Sequence, residues 1–571
     1  MVKLFGSWVI MDGNLCRLPT ILLTLKFQDP DKLQVSNNLK YTFMKLLISC
    51  LLGIFLCGQI NSQNQNIKND TFWKTVDGEY IYSQGGGIFT FTDKATGKEK
   101  YYWYGVNYEQ AEIYAKNYTE TQTGNTFRSV TCYSSNDLVN WKFEGDVLTA
   151  EEVFGSTDTR RRSWLGRMGV AYIKEANQYI LAIQYGSQVL FAKSDSPTGQ
   201  FKKHHSKNMT EWIGTSNTGD QTVFTDYDTN KSYLVYTNGR GRSRIFISEI
   251  GLRNDSITLL NYKEIYKGAG REGNCMFKYK GKYYVAASNL YGWDSSYAYY
   301  LVADDIWGPY LPTNDMLIMK GCEEDYAHIT QTGFFYTIRT GNKETVIYCG
   351  DRWSDFAGNG LGYNQWCPLS FDGSTPYFNS LNSWNLDAST GNWTVAADNN
   401  HVKNPSFEAD RKDMPSPVKP VQTFILGWEN IIVEGNKISL DSITSPKLNY
   451  KNTKEDRGFV IGERSLLITD KVNFKREVKQ TITSTPYVKF EDGYYTLTAK
   501  VKNSDGFNKL YAYAESGNEK LITKINNSNE SWSIITIKRI RVKNNKVTIG
   551  FYVDAKPDAF CLIDDVELTK E

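Results

Sequence analysis

A short unit of two strands joined by a turn recurs five times along this chain, and no other feature restricts its folding as much. Gly86-Gly87-Ile88-Phe89 leads through a polar loop to Tyr101-Tyr102-Trp103-Tyr104-Gly105, and Gly169-Val170-Ala171-Tyr172 leads to Gln178-Tyr179-Ile180-Leu181. Asp220-Gln221-Thr222-Val223-Phe224 precedes Lys231-Ser232-Tyr233-Leu234-Val235-Tyr236, and Cys275-Met276-Phe277-Lys278-Tyr279 turns at Lys280-Gly281 into Lys282-Tyr283-Tyr284-Val285. The fifth copy pairs Gln331-Thr332-Gly333-Phe334-Phe335 with Thr345-Val346-Ile347-Tyr348. Aromatic and β-branched runs bounded by turn residues read as hairpins. Copies spaced roughly 50 to 80 residues apart are what a radial array of four-stranded sheets produces. The expected fold is all-β: a five-bladed β-propeller. Its fourth hairpin opens on Glu272, a carboxylate held where a sheet begins rather than on a solvated helix face.

After Trp393 the texture changes. Val402-Lys403-Asn404-Pro405-Ser406-Phe407-Glu408 opens a new region, followed by Pro415, Pro417 and Pro420 and then by alternating runs such as Tyr495–Val501 and Val547–Val553. Strict alternation marks half-buried strands, so a β-sandwich of the jelly-roll type is expected over residues 396–571, behind a propeller over residues 63–395. At 571 residues, with 40% apolar and 14% aromatic composition, the chain is long enough for both cores.

A net charge of +2 gives no bulk reason to expect nucleic acid. The cluster Arg240-Gly241-Arg242-Ser243-Arg244 reads as a hairpin turn. Met44-Lys45 followed by the apolar run Leu46–Cys57 and the small-residue site Ile60-Asn61-Ser62 reads as a signal peptide over residues 44–62, too short for a membrane span. Residues 1–43 then read as an upstream over-extension of the reading frame. The mature protein is expected to be secreted or periplasmic; a lipid anchor at Cys57 is disfavoured because Leu56 is bulky. Six cysteines follow the signal, with no C-x-x-C pair, and four histidines without H-E-x-x-H do not make a zinc hydrolase.

Several segments in order resemble glycoside hydrolase family 43. Tyr133-Ser134-Ser135-Asn136-Asp137-Leu138-Val139-Asn140-Trp141, Ala192-Lys193-Ser194-Asp195-Ser196-Pro197-Thr198-Gly199-Gln200-Phe201 and Ala303-Asp304-Asp305-Ile306-Trp307-Gly308-Pro309-Tyr310 are similar to blade motifs of that family, over roughly Gln65 to Trp393. The resemblance implies an inverting mechanism, in which one carboxyl protonates the leaving oxygen while a base on the other face activates water. It also implies roles: Glu272 as general acid, and Asp220, with Phe224-Thr225-Asp226-Tyr227-Asp228 behind it, as the carboxylate that tunes and orients the acid. The usual first-blade Asp base is missing, because Ser83-Gln84-Gly85-Gly86-Gly87-Ile88 stands there. This departure resembles the exo-β-1,3-galactanase branch, where a fifth-blade Gln lies at the water position; Thr330-Gln331-Thr332 corresponds. Gln331 is then the water-positioning residue or an unusual base, with Glu323, Glu324 and Asp325 as alternatives. The branch's "E-R-P" tripeptide is replaced by Gly166-Arg167-Met168, losing a sugar-contacting Glu.

Further expected substrate contacts are Gln84, Tyr104, Arg167, Trp293, Asp294 and Trp366, with His328 a possible holder of a central ion or water and otherwise a hydrogen-bonded core residue. In the sandwich, the "N-P-S-F-E" start and "I-D-D-V-E-L" end resemble carbohydrate-binding modules, which implies a structural calcium ion at Glu408 with Asp564 or Asp565; oxygen donors suit that ion. No cofactor is expected for the chemistry, and a monomer is expected. The function read from the sequence is a secreted, exo-acting, inverting glycosidase. It would release galactose, or arabinofuranose or galactofuranose, from a plant-type polysaccharide such as arabinogalactan. The rival readings are a non-catalytic glycan-binding propeller and a structural surface protein.

Overall fold

The computed structural model describes residues 4–11, 14–21, 66–93, 96–120, 122, 124–156, 164–215, 218–239, 241–292, 294–352, 363–409, 424–438, 448–460, 462–526 and 529–571. The expected signal peptide lies outside these residues, as does Trp293. The chain divides into two compact units, residues 1–63 and 64–571. In the first, Leu4–Met11 pairs antiparallel with Asn14–Ile21.

Five antiparallel sheets follow one another in the second unit, each beginning at the strand that the recurrent hairpin supplied. Their first strands are Gln84–Thr92, Met168–Ile173, Thr218–Asp226, Glu272–Tyr279 and Gln331–Thr340. Each of these packs on its neighbours' counterparts, so the five form a ring around one axis. In every blade the sheet then steps outward strand by strand; blade three has an extra outer pairing, Lys263–Lys267 on Arg244–Arg253. The architecture is a five-bladed propeller.

The seams between blades explain the aromatic abundance. Trp73, Trp103, Trp141 and Trp366 meet edge-on between blades one and five, with ring centroids 4.9 Å apart for the Trp103–Trp366 pair. Non-coplanar aromatic pairs of this kind add about 0.5–1.5 kcal/mol beyond their burial.

The ring is closed by polar chemistry. Asn66–Lys68 pairs with Ser383–Asp387 just past the fifth blade. Asp70, next along the chain, accepts from Arg352 Nη1 and Gln365 Nε2 at Oδ1, both 2.8 Å, and from Asn382 Nδ2 at 2.8 Å on Oδ2, where His328 Nε2 lies 3.0 Å away. Burial pushes this carboxyl up, but His328 and Arg352 hold it far below the usual carboxylate range. His328 also lies 2.9 Å from Ser380 Oγ through Nδ1, so it is a hydrogen-bonded core residue and not the holder of a central ion.

Beyond the propeller, two five-stranded antiparallel sheets face each other as a sandwich, one running from Glu429–Glu434 to Glu519–Lys524 and the other from Asn449–Lys451 to Asn529–Val542. Alternate residues such as Val547, Ile549, Phe551 and Val553 fill the space between them. The sandwich is bonded to the propeller, through Lys403 Nζ to the Ser380 carbonyl (2.9 Å) and Arg457 Nε to the Thr119 carbonyl (3.0 Å).

Replacing Asp70 by Ala removes the buried acceptor shared by Arg352, Gln365 and Asn382 and is expected to lower stability by about 3 kcal/mol. Denaturant unfolding of the two proteins checks this; a loss under about 0.5 kcal/mol, the level of an ordinary surface change, would contradict it.

Candidate active site

The ends of the inner strands are where the chemistry converges. In four of the five blades the inner strand slips register near its start: between Gln84 and Gly87, Thr218 and Gln221, Glu272 and Cys275, and Thr332 and Phe334. A bulge bends a strand and re-aims the side chains beside it. Gly273 makes the fourth-blade bulge possible, since its φ is +59° and a Cβ there would lie 2.4 Å from the Thr332 carbonyl oxygen. That close approach sets Glu272 beside Gln331.

A cavity of about 350 Å³ opens at this end, lined among others by Gln84, Arg167, Asp220, Arg242, Glu272 and Gln331. Two arginines organise it. Arg242 Nη1 bridges Asp220 Oδ1 (3.0 Å) and Glu272 Oε2 (2.8 Å). Arg167 reaches three acceptors: Asp220 Oδ2 from Nε (3.4 Å), Asp351 Oδ2 from Nη1 (2.9 Å) and Gln331 Oε1 from Nη2 (2.6 Å). Asp220 Oδ2 also accepts the Gly273 N–H at 2.7 Å, and Gln331 Nε2 donates to the Gly292 carbonyl at 3.3 Å.

These contacts drive the two carboxyls apart. Burial and then the Asp220 charge raise Glu272 to about 8, with Arg242, Arg167 and the nearby Gln331 amide only partly opposing them. Asp220 is also raised by burial, but Arg242, Arg167 and the Gly273 N–H outweigh that and hold it below its ordinary value. One protonated and one ionised carboxyl at a shared arginine is the pattern of a tuned acid and its modulator. Glu272 Oε1 is buried without a hydrogen bond of ordinary geometry.

The walls come from segments that carried no signal in the sequence. Tyr108 donates to the Leu165 carbonyl at 2.6 Å and lines the cavity with Trp164 and Asn125. The Trp164 ring fills the space that a side chain at 166 would need, 2.3 Å from where a Cβ would stand. The missing Glu at this position is therefore replaced by an aromatic surface. Arg242 was visible only as part of a turn, which it is; the Arg271 N–H bonds its carbonyl at 2.7 Å, tying that turn to the Glu272 strand. Asp351 ends the second strand of blade five, where its register partner is Gln331.

Several expected contacts are corrected. Tyr104 points away from the cavity into the core of blades one and two, its hydroxyl 2.7 Å from the Pro197 carbonyl. Trp366 lies in the seam of tryptophans between blades five and one. Tyr104 sits on the second strand of blade one and Trp366 on the third strand of blade five, and their faces turn towards neighbouring sheets. Asp294 is buried in the loop that offers the Gly292 carbonyl to Gln331, and it does not line the cavity. Glu323 and Glu324 line a different cleft of about 640 Å³ against the sandwich, and Asp325 caps His328 N and accepts from Ser380. None of the three lines the cavity that holds Glu272. A further cavity of about 580 Å³ occupies the other mouth of the axis, lined by later inner-strand residues such as Phe91, Phe224 and Tyr336, away from the acid.

The calcium expectation finds no support among the described residues. Glu408 accepts the Arg464 N–H at 2.7 Å, Asp564 is bonded to Ser465 Oγ at 2.8 Å and to the Asp565 N–H, and Asp565 pairs with Lys500 at 2.8 Å. Burial raises Glu408 to about 8 and Asp564 well above its ordinary value. Among the described residues no group of three or more His, Cys, Asp and Glu side chains is arranged to hold a metal ion. Treatment with EDTA is expected to leave the melting temperature unchanged; a clear fall, reversed by calcium, would restore the ion.

One carboxyl held protonated beside one held ionised at the axis of a five-bladed propeller is an arrangement suited to hydrolysis of a glycosidic bond. Residues 96–360 match the model of glycosyl hydrolases family 43, and this part of the chain is a domain of that family. No curated protein matches the sequence. Among solved structures the chain is similar to an exo-β-1,3-galactanase from Phanerochaete chrysosporium, at 18% identity over 88% of this chain and 100% of that chain, with a TM-score of 0.49. It is also similar to an exo-β-1,3-galactanase from Clostridium thermocellum, at 18% identity over 83% and 100% of the two chains, with a TM-score of 0.48.

Because the acid must carry its proton to act, kcat/KM is expected to hold below and fall above about pH 8, where Glu272 ionises. An alkaline limb at the ordinary glutamate position, near pH 4.5, would contradict the tuning.

Proposed function

We propose that this protein is an exported, exo-acting, inverting glycosidase of galactan-type polysaccharide, with the glycosidase domain over residues 63–395 and a carbohydrate-binding-like sandwich over residues 396–571. The observation that carries the reading is the Arg242 bridge, 3.0 Å to Asp220 and 2.8 Å to Glu272, which holds Asp220 ionised while burial and the Asp220 charge keep Glu272 protonated. Glu272 is the general acid and Asp220 its modulator. Asp220 has both oxygens occupied by Arg167, Arg242 and the Gly273 N–H, so it is not free to attack a sugar carbon. This favours inversion by water over a covalent intermediate.

Gln331 orients that water. Arginine cannot accept a hydrogen bond, so the Gln331 oxygen must face Arg167, and the Nε2 group donates to Gly292. An imidic-acid tautomer would set an O–H against the Arg167 N–H, which argues for the plain amide and a positioning role. The small size of the cavity, near the lower end of ligand pockets, suits a terminal sugar. Trp164 offers that sugar a face to stack on. The galactan reading rests on Gly85-Gly86-Gly87-Ile88 and Thr330-Gln331-Thr332; arabinofuranose and galactofuranose remain the other sugars to test. Export rests on residues 44–62 alone.

The second reading is a glycan-binding propeller without turnover, favoured by the absence of a first-blade carboxylate at Gln84–Ile88. Sugar release from arabinogalactan, β-1,3-galactan and aryl furanosides decides between them. Glu272→Gln is expected to cut release by about 10²–10⁴-fold with the melting temperature preserved. No release by the unaltered protein, together with a glycan-induced rise in melting temperature, would select the binding reading.

A further inference from the structure

Asp351 is a charged group beside the acid that the glycosidase reading leaves without a part. It lies 2% exposed at the end of the second strand of blade five, and it reaches across the axis to blade one, accepting the Gly85 N–H at 3.2 Å through Oδ1. Its other oxygen takes Arg167 Nη1 at 2.9 Å. The same guanidinium holds Gln331 Oε1 and Asp220 Oδ2. Gly333 is needed for this placement, since a Cβ there would come within 2.9 Å of Asp351 Oδ2.

We propose that Asp351 is a positioning residue: it balances the second arginine of the centre, so that the acid can stay protonated, and it fixes Arg167 where that residue grips the Gln331 amide. This rests on the glycosidase reading for its catalytic meaning. The arithmetic of charge is simple. Arg167 and Arg242 carry two positive charges, Asp220 and Asp351 two negative ones, and a protonated Glu272 leaves the buried centre neutral. Without Asp351 the centre is one positive charge in excess, which favours ionised Glu272.

The partners of Asp351 suit its ionised form, although burial and the Asp220 charge raise its pKa and Arg167 and the Gly85 N–H only partly oppose that. Both named partners are donors, so a proton on Asp351 would face an N–H with no acceptor for it. The other titratable groups facing it are Asp220 from blade three, Cys275 from blade four, Cys349 from blade five and Tyr108 from blade one. Burial pushes both thiols and the phenol far up, so Arg167 is the only cation among these groups. Facing Glu272 are Asp220, Arg242, Arg167 and the Gln331 amide.

The test follows the protonation of Glu272 directly, so it does not depend on finding the substrate. Infrared difference spectra, taken against Glu272→Gln, report the protonated carboxyl as pH is raised. In Asp351→Asn that band is expected to disappear at a pH lower by about one unit than in the unaltered protein, and any alkaline limb of kcat/KM should shift with it. The double variant Asp351→Asn with Arg167→Gln restores neutrality and should return the transition towards its original pH, even if the single variant folds poorly. A transition that stays put in Asp351→Asn, or a double variant shifted down as far as the single one, would overturn the proposal. If the band moves as expected while no sugar is ever released, the charge balance stands and the glycosidase reading fails separately.

Discussion

Two arginines, Arg167 buried and Arg242 half-buried, shared among three carboxyls and one amide are the constraint on which this molecule turns. A guanidinium presents its N–H groups in a rigid fork, so Arg167 and Arg242 fix not only charge but the relative positions of strands from different blades. Arg167 comes from blade two and joins acceptors on blades three and five; Arg242, from a turn of blade three, joins blade three to blade four. Burying such a cluster is costly unless every charge is paired. The propeller makes pairing possible because it brings the starts of five inner strands to one end of an axis, four of them bent by a bulge.

The sandwich and the closure serve that geometry from outside. Asp70 locks the segment before blade one onto Arg352, the residue after Asp351, so the strand that positions Asp351 is tied down on its far side. Among the described residues no strand pairs the sheet of the first blade with that of the last; the three-stranded sheet past blade five and the Asp70 network close the ring. Interface bonds such as Lys403 to Ser380 set the sandwich against the same region.

The repeat of hairpins was legible because β patterning is local: each glycine-bounded aromatic run from Gly86 to Tyr348 became the first two strands of a blade. Glu272, Asp220 and Gln331 were legible because each begins such a strand. What the sequence hid lies between units. Arg242 read as one basic residue among three in a turn, and nothing local tells which of them folds back over the axis. Asp351 ends a second strand, whose residues ordinarily face away from the axis, and only the register with Gln331 brings it inward. Tyr104 and Trp366 misled for the opposite reason. An aromatic residue near a bulge has the composition of a sugar platform and of a seam residue alike, and strand pleat decides which. The carboxylates of the sandwich misled similarly, since their oxygens turned to backbone N–H groups and to Lys500.

The central claim is that chemistry occurs at the smaller cavity, where the inner strands begin, and not at the wider mouth or at the sandwich. A crystal structure of Glu272→Gln soaked with a β-1,3-linked galacto-oligosaccharide tests it most directly. The account predicts the terminal sugar on Trp164, its glycosidic oxygen within hydrogen-bonding distance of residue 272, and a water held by Gln331. A sugar bound only at the far mouth beside Phe91 and Tyr336, or only on the sandwich, would contradict it.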